Sequence, residues 1–341
     1  MRLLQVSRAP TGHDRRFADA WRSVGVTVSL AHVGDTDEEA ARDTLRRAIA
    51  DAGPDVIQAG PLSDVAPAVA EAWDGPLIAV SWGFDLMDEA KDPAVRDRIT
   101  AALARADHIL VDNDGPQRVA LTLGAAPDRI TKIPWGVDLA TFRPGPSGLR
   151  SDLGWTSNDF VVVSTRRHEP IYDVETTARG FAAAAATIPR LRGLFCGGGT
   201  RTRGLQRILQ AAGVQDRCRF LGEVPPGRLP EIYRAADVYV SSSLVDGSSV
   251  SLLEAMACGV PVCVSAIEGN TEWIAAGRGE SFPVGDPTEL ADALRRLEQN
   301  PGHAARMARD ALAHVRAQAD WSTAGERLLA VARRAIRVGN G

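Results

Sequence analysis

Residues 237–274 read DVYVSSSLVDGSSVSLLEAMACGVPVCVSAIEGNTEWI, and this stretch decides the fold. Val238–Val240 is a short apolar strand, broken at Asp246–Gly247. The run from Val250 to Ala257 reads as a helix that ends at Gly259, where a glycine C-cap belongs. A second apolar strand, Val260–Val264, follows directly. Strand, helix and strand in this order make a βαβ unit. The first N–H groups of a helix lack intrahelical partners and sit at the positive end of its dipole. Ser248, Ser249 and Val250 therefore offer an anion site, where small side chains let a phosphate come close. Glu254, eight residues beyond Asp246, is expected to point into the same crevice and accept sugar hydroxyls.

Outward from that unit, short β-type runs alternate with helical ones along the chain. Leu3–Val6, Thr27–Ala31, Asp55–Ala59, Leu77–Val80, His108–Val111 and Arg129–Ile133 read as strands in the first half. The most turn-rich stretch, Arg143–Pro144–Gly145–Pro146–Ser147–Gly148, marks a domain boundary. A second series then runs through Phe160–Ser164, Leu194–Cys196, Arg219–Leu221, Val238–Val240, Val260–Val264 and Ser281–Pro283. Such alternation means α/β architecture with doubly wound parallel sheets, which bind ligands beyond the carboxyl ends of their strands.

A chain of 341 residues is long enough for two domains with separate cores, and 45% apolar with 24% charged residues describes a soluble globular protein. No apolar run is long enough to span a bilayer, and Met1 leads directly into a strand, so neither membrane segment nor signal peptide is expected. Cys196, Cys218, Cys258 and Cys263 show no metal-ligand spacing and read as buried reduced thiols, which suits the cytoplasm. Net charge is −4, divided unevenly: residues 1–145 carry 16 basic against 22 acidic side chains, and the remainder 23 against 21. Neither half has the basic excess that nucleic acid demands, and the first half would repel an anionic membrane surface while attracting a cationic small molecule.

The opening segment resembles the Glu-x7-Glu region of the large retaining glycosyltransferase family four, whose pattern reads roughly S-x-x-E-G-x-x-x-x-x-L-E-A-M-A-x-G-x-P-V. Ser243, Asp246, Gly247, Leu253, Glu254, Ala255, Met256, Ala257, Gly259, Pro261 and Val262 match it, with Asp246 in place of the first glutamate. Pro134–Trp135–Gly136–Val137–Asp138 with Phe142–Arg143–Pro144 is similar to the family's interdomain hinge. The resemblance implies the GT-B fold, two doubly wound Rossmann-like domains facing across a cleft. Residues 1–145 would bind the acceptor and 149–318 the nucleotide sugar. Residues 319–341 would form a helix crossing back toward the first domain, marked by Trp321.

What the resemblance implies for the site is carried over position by position. Arg166 and Arg167 are both candidates for the arginine that holds the donor diphosphate, and Tyr172 stands where relatives have a lysine. A solvated basic loop is the plainer reading of both arginines. Gly198, in Cys196–Gly197–Gly198–Gly199–Thr200, matches the nucleotide-side glycine turn, although any tight βα turn favours glycine. Gly222 and Val224 match a segment whose backbone meets the nucleobase, or else simply end a strand. Glu254 would bond ribose hydroxyls, and Asp246, unless it only forms an Asp-Gly turn, would contact the sugar or stabilise the reacting centre. Glu268–Trp273 matches a loop near the phosphates, with Trp273 equally suited to a core. In the first domain, Gly12 and His13 occupy the place of a glycine-rich loop, Trp82 that of a histidine near the donor sugar, and Asp85 is an acceptor-site candidate.

The expected activity is therefore a retaining, metal-independent transfer from a nucleotide-diphosphate sugar. The donor would be a co-substrate, UDP-linked ahead of GDP-linked, and no cofactor is required. A soluble small-molecule acceptor such as an aminocyclitol fits the acidic first half, and a homodimer is left open. Two alternatives stand beside this: a transferase building a polysaccharide or glycolipid, and a sugar-nucleotide epimerase or pseudoenzyme of the same fold.

Overall fold

The structure, a computed structural model, describes residues 1–34 and 38–339. The chain divides into two compact units, one formed by Met1–Pro134 with the segment from Trp321 onward, the other by Trp135–Asp320. Each is built on a six-stranded sheet. In the first, β1 (Arg2–Ser7), β2 (Thr27–His32), β3 (Val56–Ala59), β4 (Leu77–Val80), β5 (His108–Val111) and β6 (Ile130–Lys132) lie in the order β2-β1-β3-β4-β5-β6. In the second, β7 (Phe160–Ser164), β8 (Leu191–Cys196), β9 (Cys218–Gly222), β10 (Val238–Ser241), β11 (Val262–Ser265) and β12 (Glu280–Phe282) lie in the order β12-β11-β10-β7-β8-β9. The paired strands run parallel throughout.

The apolar runs explain the sheets. Every residue of β3, β4, β5, β7, β10 and β11 is buried, as parallel strands covered on both faces must be. The edge strand β2 has exposed positions and tolerates polar residues there. Strand β7 pairs with β10 through Val162 opposite Val238 and Val163 opposite Tyr239. Asp237 holds that pairing at its amino end, its Oδ2 accepting from the Val161 N–H and from Arg150 Nη2, each at 2.7 Å. The strand order reverses between β7 and β10 in the second unit and between β1 and β3 in the first. A crevice opens at the carboxyl ends of strands at such reversals.

Several boundaries differ from the expected ones. The division falls after Pro134 rather than in the turn-rich 143–148, because Val137 and Phe142 are buried in a core cluster of the second unit. The Val137 N–H also donates to Ala319 O at 2.8 Å, pairing the two ends of that unit. The helix Ala324–Gly339 packs within the first unit on the helix Gly12–Ser23 and on β3, β4 and β5. Asn340 and Gly341, the last residues of the expected 319–341 segment, lie outside the described residues. Glu268–Ile274 is a helix rather than a loop, since Trp273 and Ile274 turn into the core.

His108 on β5 is buried, its Nε2 within 2.8 Å of Thr131 Oγ1, and burial pushes its pKa from 6.5 down to about 4 with Arg334 adding to the effect. Between those values the unfolded chain binds the proton and the folded chain does not, so stability is complete above pH 6.5 and falls as pH drops toward 4. The loss from this one group should be about 3 kcal/mol. Urea unfolding of His108→Gln across pH 4–7 should show a shallower pH dependence than the parent chain; an unchanged slope would contradict this reading.

Candidate active site

In the second unit the reversal of strand order sets the end of β7 beside the end of β10. Chain leaving β7 carries Thr165, Arg166 and Arg167; chain leaving β10 carries Ser242 to Ser249 and enters the helix Val250–Ala257. Arg166 turns inward and is only 9% exposed. Its Nη2 meets Asp246 Oδ2 at 2.6 Å, and its Nη1 donates to Ser249 Oγ at 2.7 Å and Ser251 Oγ at 3.0 Å. The Tyr172 ring lies over the guanidinium, 4.1 Å from its carbon. Burial opposes the arginine charge, but the Asp246 carboxylate together with Tyr239, Tyr172 and Tyr233 more than offsets it, so the guanidinium stays protonated well above its ordinary range. Burial pushes the Asp246 carboxyl up while Arg166 pulls it back, and the close contact keeps the two as an ion pair.

Ser249 stands at the N-cap of the helix, where a serine normally bonds the amides of the first turn. Its Oγ accepts from Arg166 instead, and Ser249 makes no capping bond of its own to this helix. Gly247 and Ser248 are buried and Val250 is half-buried just ahead of and within that turn. A close approach explains Gly269: a Cβ there would lie 2.2 Å from Gly247 O and 2.5 Å from Asp246 O, so the helix Glu268–Ile274 directly supports the turn. Trp273 does both things expected of it, packing in the core and donating from Nε1 to Ser248 Oγ at 3.3 Å. Farther along, Glu254 is half-buried and its Oε2 accepts from the Tyr233 hydroxyl at 2.8 Å, which also lies 2.9 Å from Thr165 Oγ1.

The glycine turn after β8 is knitted to the turn after β7. The His168 N–H donates to Gly198 O, the Arg201 N–H to His168 O, and Thr200 Oγ1 to Glu169 Oε2. Gly197, at φ 100°, could not carry a side chain, since its Cβ would fall 2.7 Å from Arg166 O. The Gly197 N–H reaches Gly222 O at 2.6 Å, tying the end of β9 to the same rim, and Val224 packs half-buried against the core. Arg167 is exposed on this rim.

The first unit gathers its candidates at the ends of β1 and β4. Gly12 is exposed at the start of a helix whose cap is the Thr11–Asp14 box, and His13 stands edge-on to Trp82 with ring centroids 4.9 Å apart. Asp85 departs from expectation. It is wholly buried, accepting from Ser81 Oγ at 2.6 Å and from the N–H groups of Leu62, Trp82 and Leu86. Burial pushes its pKa up while these donors oppose the shift. Its carboxylate organises the loop after β4 and is not presented to an acceptor.

Tyr233, Tyr239 and Ser251 were not singled out from sequence. The chain has three tyrosines, and all of them wall this site: Tyr172 over Arg166, Tyr233 on Glu254, and Tyr239 with its hydroxyl 2.7 Å from Ser251 Oγ. Their scarcity in a chain with 5% aromatics was the available signal.

The sequence profile of the family described as "Glycosyl transferases group 1" matches residues 149–314. The D-inositol 3-phosphate glycosyltransferase of Acidothermus cellulolyticus is 34% identical over 69% of this chain and 54% of its own length. That of Kineococcus radiotolerans is 30% identical over 79% of this chain and 68% of its own length. The chain thus spans only about half to two thirds of these curated relatives. Among solved structures, Anabaena HepE in complex with UDP-glucose superposes with a TM-score of 0.82 at 19% identity, covering 97% of this chain and 98% of that one. That likeness carries the fold, and the two Rossmann-like units are the GT-B pair that the motifs implied. On these matches, the chain belongs to the glycosyl transferases group 1 family.

Proposed function

We propose that the chain moves a glycosyl group from a nucleotide-diphosphate sugar to a hydroxyl of a soluble, cyclitol-like acceptor, with retention at the anomeric carbon. The observation that carries this reading is the rim of the second unit. There the exposed Arg167 follows β7, and the helix start at Ser248–Val250 and the anchored Glu254 follow β10, the two strands between which the order reverses. A diphosphate calls for a cation and oriented amides, and a ribose calls for an acceptor carboxylate; this rim supplies both kinds. UDP is the favoured nucleotide, in keeping with the UDP-glucose bound by HepE.

In this account catalysis is positioning plus stabilisation of the departing diphosphate. The bond from anomeric carbon to phosphate oxygen breaks, Arg167 and the helix amides take up the developing charge, and the acceptor oxygen attacks from the same face. The departing phosphate receives the acceptor proton, so no protein nucleophile is required. Metal independence belongs to the proposal, with those same groups offsetting the charge. The relatives are named for an inositol phosphate acceptor. The acidic balance of residues 1–145, 16 basic against 22 acidic, favours a cyclitol without net negative charge, an aminocyclitol above all. The cytoplasm is the compartment we propose: all four cysteines are buried free thiols, and burial pushes Cys196, Cys218 and Cys258 up to about 12.

A thermal-shift panel of UDP, GDP, ADP and their sugar conjugates tests the donor. UDP and one UDP-sugar should raise the melting temperature, by about 2.7 kcal/mol of added stability at a hundredfold excess over Kd, and Glu254→Ala should abolish the shift. No shift with any nucleotide would favour the pseudoenzyme reading, to which Tyr172 and Trp82 in place of the family's lysine and histidine already point.

A further inference from the structure

The two arginines after β7 were interchangeable candidates in the sequence, and their surroundings separate them. Both terminal nitrogens of Arg166 are engaged by protein groups, Nη2 by Asp246 and Nη1 by Ser249 and Ser251. Its Nε has no hydrogen-bond partner among the described residues, but that atom is itself buried and out of a ligand's reach. Tyr172 covers the flat face of the guanidinium at 4.1 Å, and the Tyr239 hydroxyl closes the far side of the network through Ser251. The Tyr172 backbone is held in turn, its carbonyl accepting from Ser242 Oγ at 3.2 Å. Arg167 shares none of this enclosure and is exposed.

Resting on the donor-site reading above, we propose that Arg166 is a positioning residue that acts on the transferred sugar through Asp246, and that it makes no contact with the diphosphate, which Arg167 binds. Two consequences follow from its geometry. Asp246 is a short side chain in an Asp-Gly turn, and the bond to Nη2 fixes the direction of its carboxylate. By taking the Ser249 hydroxyl, Arg166 also removes the helix's own cap and leaves the first-turn amides to a ligand anion. Arg166 thereby connects the sugar end of the crevice to the phosphate end without being a ligand at either.

The test uses the full chain with Arg166→Met, Arg166→Lys, Asp246→Asn, the double variant Arg166→Met/Asp246→Asn, and Arg167→Met as the comparator. Removing Arg166 alone strands a buried carboxylate and can unfold the unit, whereas the double variant removes both charges and keeps the question answerable. UDP affinity by titration calorimetry should stay within about threefold of the parent in the double variant and fall about tenfold or more in Arg167→Met, the loss expected of a charge-assisted phosphate contact. Turnover with a UDP-sugar should fall in the double variant by no more than in the worse single variant, with kcat reduced and KM for the donor little changed, as for residues acting as one unit. Hydrogen exchange of residues 246–251 without any ligand should quicken in Arg166→Met and be partly restored in Arg166→Lys. Tenfold loss of UDP affinity in the double variant, or unchanged exchange at 246–251, would overturn the assignment. A parent chain that binds no nucleoside diphosphate, with exchange still responding to Arg166, would instead overturn the donor-site reading.

Discussion

The adjacency of β7 and β10 is the constraint on which the second unit depends. These strands neighbour each other because the chain winds outward through β8 and β9, then returns to the other side of β7. Asp237 sets their relative position by bonding the Val161 amide near the start of β7, and from there the register carries forward to the carboxyl ends. Arg166 and Asp246, 80 residues apart in sequence, meet at those ends. A guanidinium in so dry a place is tolerated only when its charge is paired, because an unpaired buried charge costs several kcal/mol. The site is thus assembled by backbone pairing and held by one buried ion pair.

Around that pair the polar groups divide their work. Ser249 and Ser251 of the Ser-Ser-Val-Ser run serve Arg166 rather than the helix, and the tyrosines shield or orient charges without carrying any. Desolvation pushes the Tyr233 hydroxyl well above its ordinary pKa, with Glu254 adding to the shift, so it acts at neutral pH as a fixed donor to the carboxylate. Glycines appear where backbone must meet backbone: Gly197 against Arg166 and Gly269 against the Asp246–Gly247 turn.

Much of this was legible in the sequence. The buried strands announced themselves as unbroken apolar runs, and the helix Val250–Ala257 has the ends its composition implied. Asp246, Ser249 and Glu254 lie close together because their spacing reflects one βαβ crossover. What sequence could not supply was direction. Nothing in Thr-Arg-Arg says which guanidinium turns inward; that is settled by the acid and serines waiting across β10. Asp85 looked like a ligand because it is an acid after a strand, yet four donors within its own loop region and β3's following turn claim it. The unit boundary was misplaced for a related reason: turn residues mark where the chain bends, whereas Val137 and Phe142 show where it packs.

The central claim is that sugar leaves a nucleotide and arrives on an acceptor with its anomeric configuration kept. The most direct measurement incubates the chain with UDP-glucose labelled at the anomeric carbon and an aminocyclitol, then follows that carbon by NMR. The account predicts a new glycoside resonance with the α coupling of the donor, appearing in step with free UDP. Label that stays on the nucleotide, or a glycoside of β configuration, would contradict it.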